Sequence, residues 1–142
     1  RIYIANHIKK NSWFSIGSAT VSEIDKYNIL NASMLSIERA VNKLVKKPDL
    51  YLIDGVHAPK KMKNFKTIIK GDQKIKCISA ASIVAKVYRD LYMIKLSRRF
   101  PNYKWHKNFG YGTFQHLNAL KKFGVTSYHR RSYKPVHNIL SK

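Results

Sequence analysis

Acidic residues are scarce in this chain. Seven Asp and Glu stand against 28 Lys and Arg among 142 residues, which gives a formal net charge of +21 and an isoelectric point near 10.2. A domain this basic is expected to bind a polyanion. Nucleic acid is the expected partner, and an anionic membrane surface is the weaker alternative.

Cysteine and long apolar runs are also lacking. The single Cys77 excludes an internal disulfide and a cysteine-based zinc site, and it fits a reducing, cytoplasmic setting. We expect Cys77 to be a small buried side chain. The apolar run at residues 50–53 is far shorter than the ~20 residues that cross a bilayer, so no membrane segment is expected, and no signal-peptide pattern is present.

What the chain does contain is enough apolar material for a core, with 44% hydrophobic and 12% aromatic residues. No repeat or low-complexity linker divides it, so we expect one domain over residues 1–142 and a monomeric protein. The chain begins at Arg1 rather than Met, in a stretch that already has a helical pattern. We therefore expect this domain to be incomplete at its N-terminus.

Hydrophobic spacing predicts strands that alternate with helices, and hence an α/β layer architecture. The run at 50–53 is apolar at every position, which is typical of a strand covered on both faces. Ser22 is expected to cap a short turn. Strands are predicted at 13–21, 50–53 and 66–70, and helices at 1–10, 30–44, 79–98 and 114–123, the last ending at Gly124.

Two of the seven carboxylates stand at the ends of predicted strands. Asp54 precedes Gly55, and Asp72 follows Gly71. In open α/β sheets, ligands bind at the carboxyl ends of strands, and a hard divalent ion takes one or two protein carboxylates together with water and phosphate oxygens. The pair suggests metal-assisted phosphodiester chemistry; the alternative is ordinary ion pairing with neighbouring cations. For Asp90 we favour pairing with Lys86, four residues earlier on one helix.

Cations alternate with aromatic side chains over residues 98–111. Cations bind phosphates and aromatic rings stack on bases or sugars, so this segment could contact nucleic acid. Equally, its aromatic residues could cover the core while its lysines are solvated. His116, His129 and His137 have no familiar metal-ligand spacing, and His129 with Arg130 suits a phosphate contact, a carboxylate contact or a structural pair.

Several longer motifs resemble those of bacterial ribonuclease HII, in unbroken order along essentially the whole chain. The central ones are LIDG at Leu52–Gly55 and KGD at Lys70–Asp72. The others are EID at 23–25, NIL at 28–30, ASM at 32–34, ISAASIVAKVYRD at 78–90, GYGT at 110–113 followed by His116-Leu117, and HRRSYKPV at 129–136.

The resemblance implies an RNase H-like fold, with a mixed central sheet flanked by helices and residues 98–142 as a helical, substrate-binding region. It implies an endoribonuclease that cuts the RNA strand of RNA–DNA hybrids and cuts 5′ of single ribonucleotides in duplex DNA, using four carboxylates and Mg²⁺ or Mn²⁺. Two of those carboxylates match Asp54 and Asp72. Tyr111 matches the tyrosine that contacts the ribonucleotide, and Lys70 and Arg130 are expected to contact substrate.

One departure from the family pattern is specific. The other two carboxylates form an adjacent Asp-Glu, followed by a Gly-Arg-Gly that reads the 2′-hydroxyl, and this chain contains neither sequence. We therefore expect the N-terminal strands to be missing and the 142 residues alone to be inactive or nearly so. A non-enzymatic basic nucleic-acid binder and a degenerate gene remnant are the alternatives.

Overall fold

The computed structural model describes residues 1–141. Within them the chain forms mostly helices, with one pair of short strands. In chain order the elements are α1 (Ile2–Asn11), α2 (Val21–Lys43), β1 (Tyr51–Asp54), β2 (Phe65–Ile68), α3 (Gly71–Lys74), α4 (Lys76–Arg99), a 3-10 helix (Pro101–Tyr103), α5 (Trp105–Asn108), α6 (Phe114–Phe123) and α7 (Lys134–Leu140).

Strands β1 and β2 pair in parallel, with Tyr51 opposite Phe65 and Asp54 opposite Ile68. Both strands therefore end at the same edge of the sheet, where the amide of Gly55 donates to the carbonyl of Ile68 at 2.9 Å. Only Ile53 of this strand is buried, so the prediction of a strand covered on both faces is wrong for its neighbours. Within residues 1–141, β1 pairs with β2 alone and packs against α3 and α4. The mixed central sheet stays a prediction.

The segment before α2 is not a strand, so the prediction for residues 13–21 is wrong. Its polar groups bond to α2 instead of to a neighbouring strand. Ser15 Oγ donates to the carbonyl of Ala40 at 2.5 Å, and the guanidinium of Arg39 donates to the carbonyl of Ser18 at 2.8 Å. This arrangement brings the backbone at Gly17 directly against the α2 backbone.

Helix α2 begins at Val21, nine residues and about two and a half turns before the predicted start at residue 30. Thr20 is its cap, rather than Ser22, and forms a reciprocal capping box with Glu23. Asn28 interrupts the helix with φ 66° and ψ 168°, and its side-chain oxygen accepts from the amide of Asn31 at 3.0 Å. Asn28 therefore restarts the helix at a kink, in the way that an N-cap residue begins one.

Helix α4 confirms the long helix predicted from apolar spacing. Val84, Val87 and Leu96 are buried on its inner face, whereas Leu91 is exposed. Cys77 is exposed too, so the expectation of a buried cysteine is wrong. Successive helix residues point in directions that differ by about 100° around the axis. Ile78, the residue after Cys77, therefore faces the core in its place.

The largest buried cluster lies in the C-terminal third of the chain. Tyr103, Trp105, Leu120 and Val136 pack with Leu96 of α4, and the rings of Tyr103 and Trp105 stack with centroids 5.1 Å apart. Part of the predicted aromatic segment is thus core rather than surface. No helix within residues 1–141 is both long and apolar enough to span a bilayer.

Gly17→Ala should destabilise the fold strongly. A Cβ at this position would collide with the carbonyl oxygen of Ser36 and lie 2.5 Å from the amide nitrogen of Ala40, and neither backbone atom can move without distorting α2. Overpacking of this kind costs about 1–3 kcal/mol or more. Urea unfolding followed by circular dichroism measures the loss, with exposed Ser18→Ala as the control. Equal stability of the two variants would show that this close approach does not exist.

Candidate active site

Asp54 and Asp72 lie at the same edge of the two-stranded sheet, as predicted. Asp54 is the last residue of β1, and Asp72 lies in the first turn of α3, four residues after β2 ends. The amide of Gly71 donates to Asp54 Oδ1 at 2.8 Å, which ties the start of α3 to the end of β1. The parallel pairing and this bond therefore bring the backbone that carries Asp72 to the end of β1, although the two aspartates are 18 positions apart in sequence.

The turn between β2 and α3 explains how the Gly71 amide reaches Asp54. Lys70 has φ 53° and ψ 43°, in the left-handed region, and this reverses the chain after β2. Gly71 is buried, and a Cβ there would lie 2.7 Å from Ile78 Cδ1 and 3.5 Å from Asp54 Oδ1. The structure thus gives Lys70 a backbone role in the turn. Its side chain is at the surface, and the predicted substrate contact stays a prediction.

Neither aspartate is paired with a cation of the protein within the part of the chain that the structure describes. Within residues 1–141 the ion pairs join Glu23 to Arg39 and Lys86 to Asp90, and neither involves Asp54 or Asp72. The same residues contain no cluster of three or more His, Cys, Asp or Glu side chains that could hold a metal ion. Two hard carboxylates at an open edge fit a divalent ion that completes its shell with water and phosphate oxygens.

Tyr111 stands on a cationic surface formed by α4. The residue is 56% exposed, and Lys86 Nζ lies 5.3 Å and Arg89 Cζ 5.1 Å from the centroid of its ring. Lys86 also pairs with Asp90 at 2.8 Å, which confirms the predicted i,i+4 contact. The sequence analysis missed Arg89 and Lys86 as neighbours of Tyr111. Their spacing puts them on one helix face, but it does not indicate that residues 109–113, the Tyr111 loop, pack against that face.

Buried histidines lie behind the Tyr111 loop. His116 Nδ1 is 2.9 Å from the carbonyl oxygen of Tyr111, and its Nε2 is 3.1 Å from Trp105 Nε1 and 3.2 Å from His129 Nε2. Burial lowers the pKa of His116. Burial, and next the neighbouring His116, lower the pKa of His129 to about 4. Both rings are therefore neutral at pH 7, and His129 is a core residue rather than a phosphate contact.

Asp25 holds the segment that follows His129. Its carboxylate accepts from the amides of Arg131 and Ser132, at 2.9 and 3.0 Å, and from Ser132 Oγ at 2.5 Å. Burial raises the pKa of Asp25, but the bonds from Ser132 and Arg131 outweigh it and the net shift is downward. The sequence analysis missed this contact because it joins residues 106 positions apart.

The backbone that Asp25 holds leads directly into two neighbours of the Tyr111 loop, Arg130 and Tyr133. Tyr133 follows Ser132, and its hydroxyl lies where it would be 2.7 Å from a Cβ at Gly112. Arg130 lies over the Tyr133 ring, 5.4 Å from the centroid. Arg130 is thus close to the Tyr111 loop. Within residues 1–141, no hydrogen bond or ion pair joins it to Asp54 or Asp72.

Comparison with known proteins gives consistent matches over this whole arrangement. The family model described as ribonuclease HII matches residues 1–136. The chain is 53% identical to the ribonuclease HII of Pelagibacter ubique (strain HTCC1062), over 96% of this chain and 74% of that protein. It is 48% identical to the ribonuclease HII of Blochmanniella floridana, over 99% of this chain and 70% of that protein.

A solved structure also resembles the fold. The crystal structure of the ribonuclease H2 from Pyrococcus horikoshii OT3 superimposes with a TM-score of 0.63 and 25% sequence identity. The match covers 86% of this chain and 65% of that one. The chain therefore spans about two thirds to three quarters of these proteins.

Stability should fall as the pH is lowered from about 6.5 towards 4. The folded-state pKa of His129, about 4, lies below its ordinary value of 6.5, so in this window the unfolded chain binds more protons and acid favours unfolding. This shift in the pKa of His129 corresponds to a loss of at most about 3 kcal/mol in the free energy of unfolding. The low pKa of Glu23, about 2, extends the decline below pH 4.5. Urea unfolding at pH 7, 5.5 and 4.5 measures the effect.

His129→Gln is the matched variant for this pH dependence. It cannot take up the proton, so its stability should change less between pH 6.5 and 4, although it starts lower at pH 7. An identical decline in wild type and variant would assign the pH dependence to other groups.

Proposed function

The chain belongs to the ribonuclease HII family, and we propose that it contributes to an endoribonuclease that hydrolyses RNA–DNA duplexes at ribonucleotides. The family match confirms the resemblance indicated by the motifs. The observation that carries the proposal is the position of Asp54 and Asp72 at one sheet edge, without a cationic partner among residues 1–141, in a chain of net charge +21.

Asp54 and Asp72 would bind Mg²⁺ or Mn²⁺. The bound ion would supply an activated water and stabilise negative charge on the phosphate and the leaving oxygen. In the proposed reaction, the water oxygen bonds to phosphorus and the bond from phosphorus to the 3′-oxygen breaks. One product carries a 5′-phosphate and the other a 3′-hydroxyl. The 2′-hydroxyl distinguishes RNA from DNA and is recognised rather than used as the nucleophile.

The residues that we propose to face the substrate lie along α4, starting from the sheet edge that carries Asp54 and Asp72. This helix contacts β1 and α3 at its start and α5 farther along, so it links the two aspartates to the Tyr111 surface. Tyr111 offers an exposed ring for stacking, and Lys86 and Arg89 offer charge to phosphates. Lys70 and Arg130 are proposed as further phosphate contacts.

Only part of the family's site is present among these residues. The 142 residues contain neither an Asp-Glu pair nor a Gly-Arg-Gly sequence. Two carboxylates hold two ions poorly, so we expect little cleavage by the chain alone. The decisive measurements on this chain are therefore ion binding and duplex binding, which depend on the residues it does contain.

A second function, non-enzymatic binding of nucleic acid, is favoured by the net charge of +21. It predicts steep salt dependence, no metal requirement and equal affinity for all-DNA duplex and duplex with a ribonucleotide. Nuclease-type recognition predicts an ion site at Asp54 and Asp72 and a contribution from Tyr111 when a ribonucleotide is present. The next two experiments separate these functions.

Mn²⁺ titration should broaden the NMR signals of the Gly55 and Gly71 amides, which adjoin the two carboxylates. Asp54→Asn and Asp72→Asn each remove one negative ligand, so each should weaken the ion binding at least about tenfold. Asp49→Asn removes an equal charge from an exposed turn and should leave the titration unchanged. Equal broadening in all three variants would rule out this ion site.

Tyr111→Ala should weaken binding to a DNA duplex containing one ribonucleotide by about 1–3 kcal/mol, the usual value of one stacking contact. The salt dependence of binding should not change, because no charge is removed. Tyr3→Ala, an exposed tyrosine on α1, is the control. Fluorescence anisotropy with the ribonucleotide-containing duplex and its all-DNA counterpart makes the comparison. An equal loss for both duplexes would contradict ribonucleotide recognition.

A further inference from the structure

The backbone of Tyr111 is bonded to a buried side chain of the core. Its carbonyl oxygen lies 2.9 Å from His116 Nδ1, and His116 is only 5% exposed. The ring of the same tyrosine is open to solvent. The Tyr111 backbone is thus bonded to the core, whereas its side chain lies at the surface.

The hydrogen bonds around His116 determine where its proton lies. Thr126 donates its amide proton to His129 Nδ1 at 3.0 Å, so the proton of neutral His129 is on Nε2, which faces His116 Nε2 at 3.2 Å. The indole N–H of Trp105 also points to His116 Nε2, at 3.1 Å. That nitrogen therefore accepts both bonds and carries no proton, which leaves the proton on Nδ1. His116 Nδ1–H consequently donates to the Tyr111 carbonyl.

The other backbone hydrogen bonds of the loop join residues that are close in sequence. Gly110 has φ 82°, and Gly112 provides a second glycine on the other side of Tyr111. Within the loop, the Tyr111 amide donates to the Asn108 carbonyl and the Thr113 amide donates to the Tyr111 carbonyl, both at 2.8 Å. These bonds are local. Within residues 1–141, the bond from His116 is the one that joins the Tyr111 backbone to the buried side chains of Trp105 and His129.

We propose that His116 is a positioning residue for Tyr111. Through Nδ1–H it holds the Tyr111 carbonyl so that the ring stays over Lys86 and Arg89, ready to stack on a nucleic acid. His116 itself contacts no substrate in this proposal. The inference rests on the proposed function for its consequence in binding, but the anchoring of the loop is a separate, directly measurable property of the free protein.

Two substitutions test the two ring nitrogens of His116 separately. The amide nitrogen of Asn is bonded to Cγ, as Nδ1 is, so His116→Asn keeps a donor for the Tyr111 carbonyl and loses the acceptor for Trp105 and His129. The Gln amide lies one bond farther out, in the place of Nε2, so His116→Gln keeps a polar partner for Trp105 and His129 and loses the donor to Tyr111.

The proposal predicts opposite orders for stability and for loop anchoring. His116→Asn leaves two buried N–H groups without a partner, so it should be the less stable variant in urea unfolding. Its Tyr111 and Thr113 amides should nevertheless exchange with solvent at close to the wild-type rate. In His116→Gln these two amides should exchange about tenfold faster, and affinity for the ribonucleotide-containing duplex should fall towards that of Tyr111→Ala. If exchange in the two variants simply follows their stability, His116 has only a structural role.

A measurement on the wild-type protein tests the proposal even if a variant does not fold. Long-range ¹H–¹⁵N correlation spectra identify the tautomer of each histidine. The proposal requires the Nδ1–H form for His116 and the Nε2–H form for His129. An Nε2–H form of His116 would overturn it, because His116 would then offer no donor to the Tyr111 carbonyl.

The exchange and binding measurements also separate this inference from the proposed function. If wild-type protein binds the two duplexes equally, recognition of ribonucleotides by Tyr111 fails. The exchange rates and tautomers still decide whether His116 anchors the loop.

Discussion

The parallel pairing of β1 with β2 is the constraint on which the candidate active site depends. It makes both strands end at one edge, and the left-handed turn at Lys70 then aims the Gly71 amide at Asp54. This single bond places the start of α3, and with it Asp72, beside the end of β1. Helix α4 follows directly and carries the cationic surface towards Tyr111. Helix α4 thus links the two aspartates of the proposed site to the surface around Tyr111.

The few carboxylates of this basic chain serve two different purposes. Glu23 caps α2 and pairs with Arg39, Asp25 holds the backbone at Arg131 and Ser132, and Asp90 pairs with Lys86. These acids stabilise the fold by accepting bonds that water would otherwise make. Asp54 and Asp72 remain without a cation among the residues described. In a chain of net charge +21, that is the physical basis for proposing an ion between them and a phosphate.

The aromatic segment shows how core and surface share one stretch of sequence. Trp105 and Tyr103 are buried and stacked, whereas Tyr111, a few residues later, is exposed over Lys86 and Arg89. The composition of the segment left both interpretations open, and each is correct for some of its residues. Burial here depends on packing against α4 and α6, which the local pattern of cations and aromatic rings does not specify.

The sequence by itself determined the charge, the family, the positions of the main helices and the place of Asp54 and Asp72 after two apolar segments. These features follow from composition, motifs and local periodicity, which need no tertiary contact. Its prediction of a strand at residues 13–21 was wrong because alternation shows only which side chains could share a face, not whether a partner strand is present. Only the tertiary structure decided that Asp25 meets Arg131 and that His116 bonds to Tyr111. Such contacts depend on how the elements pack, because the bonded groups are brought together by helices and turns that lie between them.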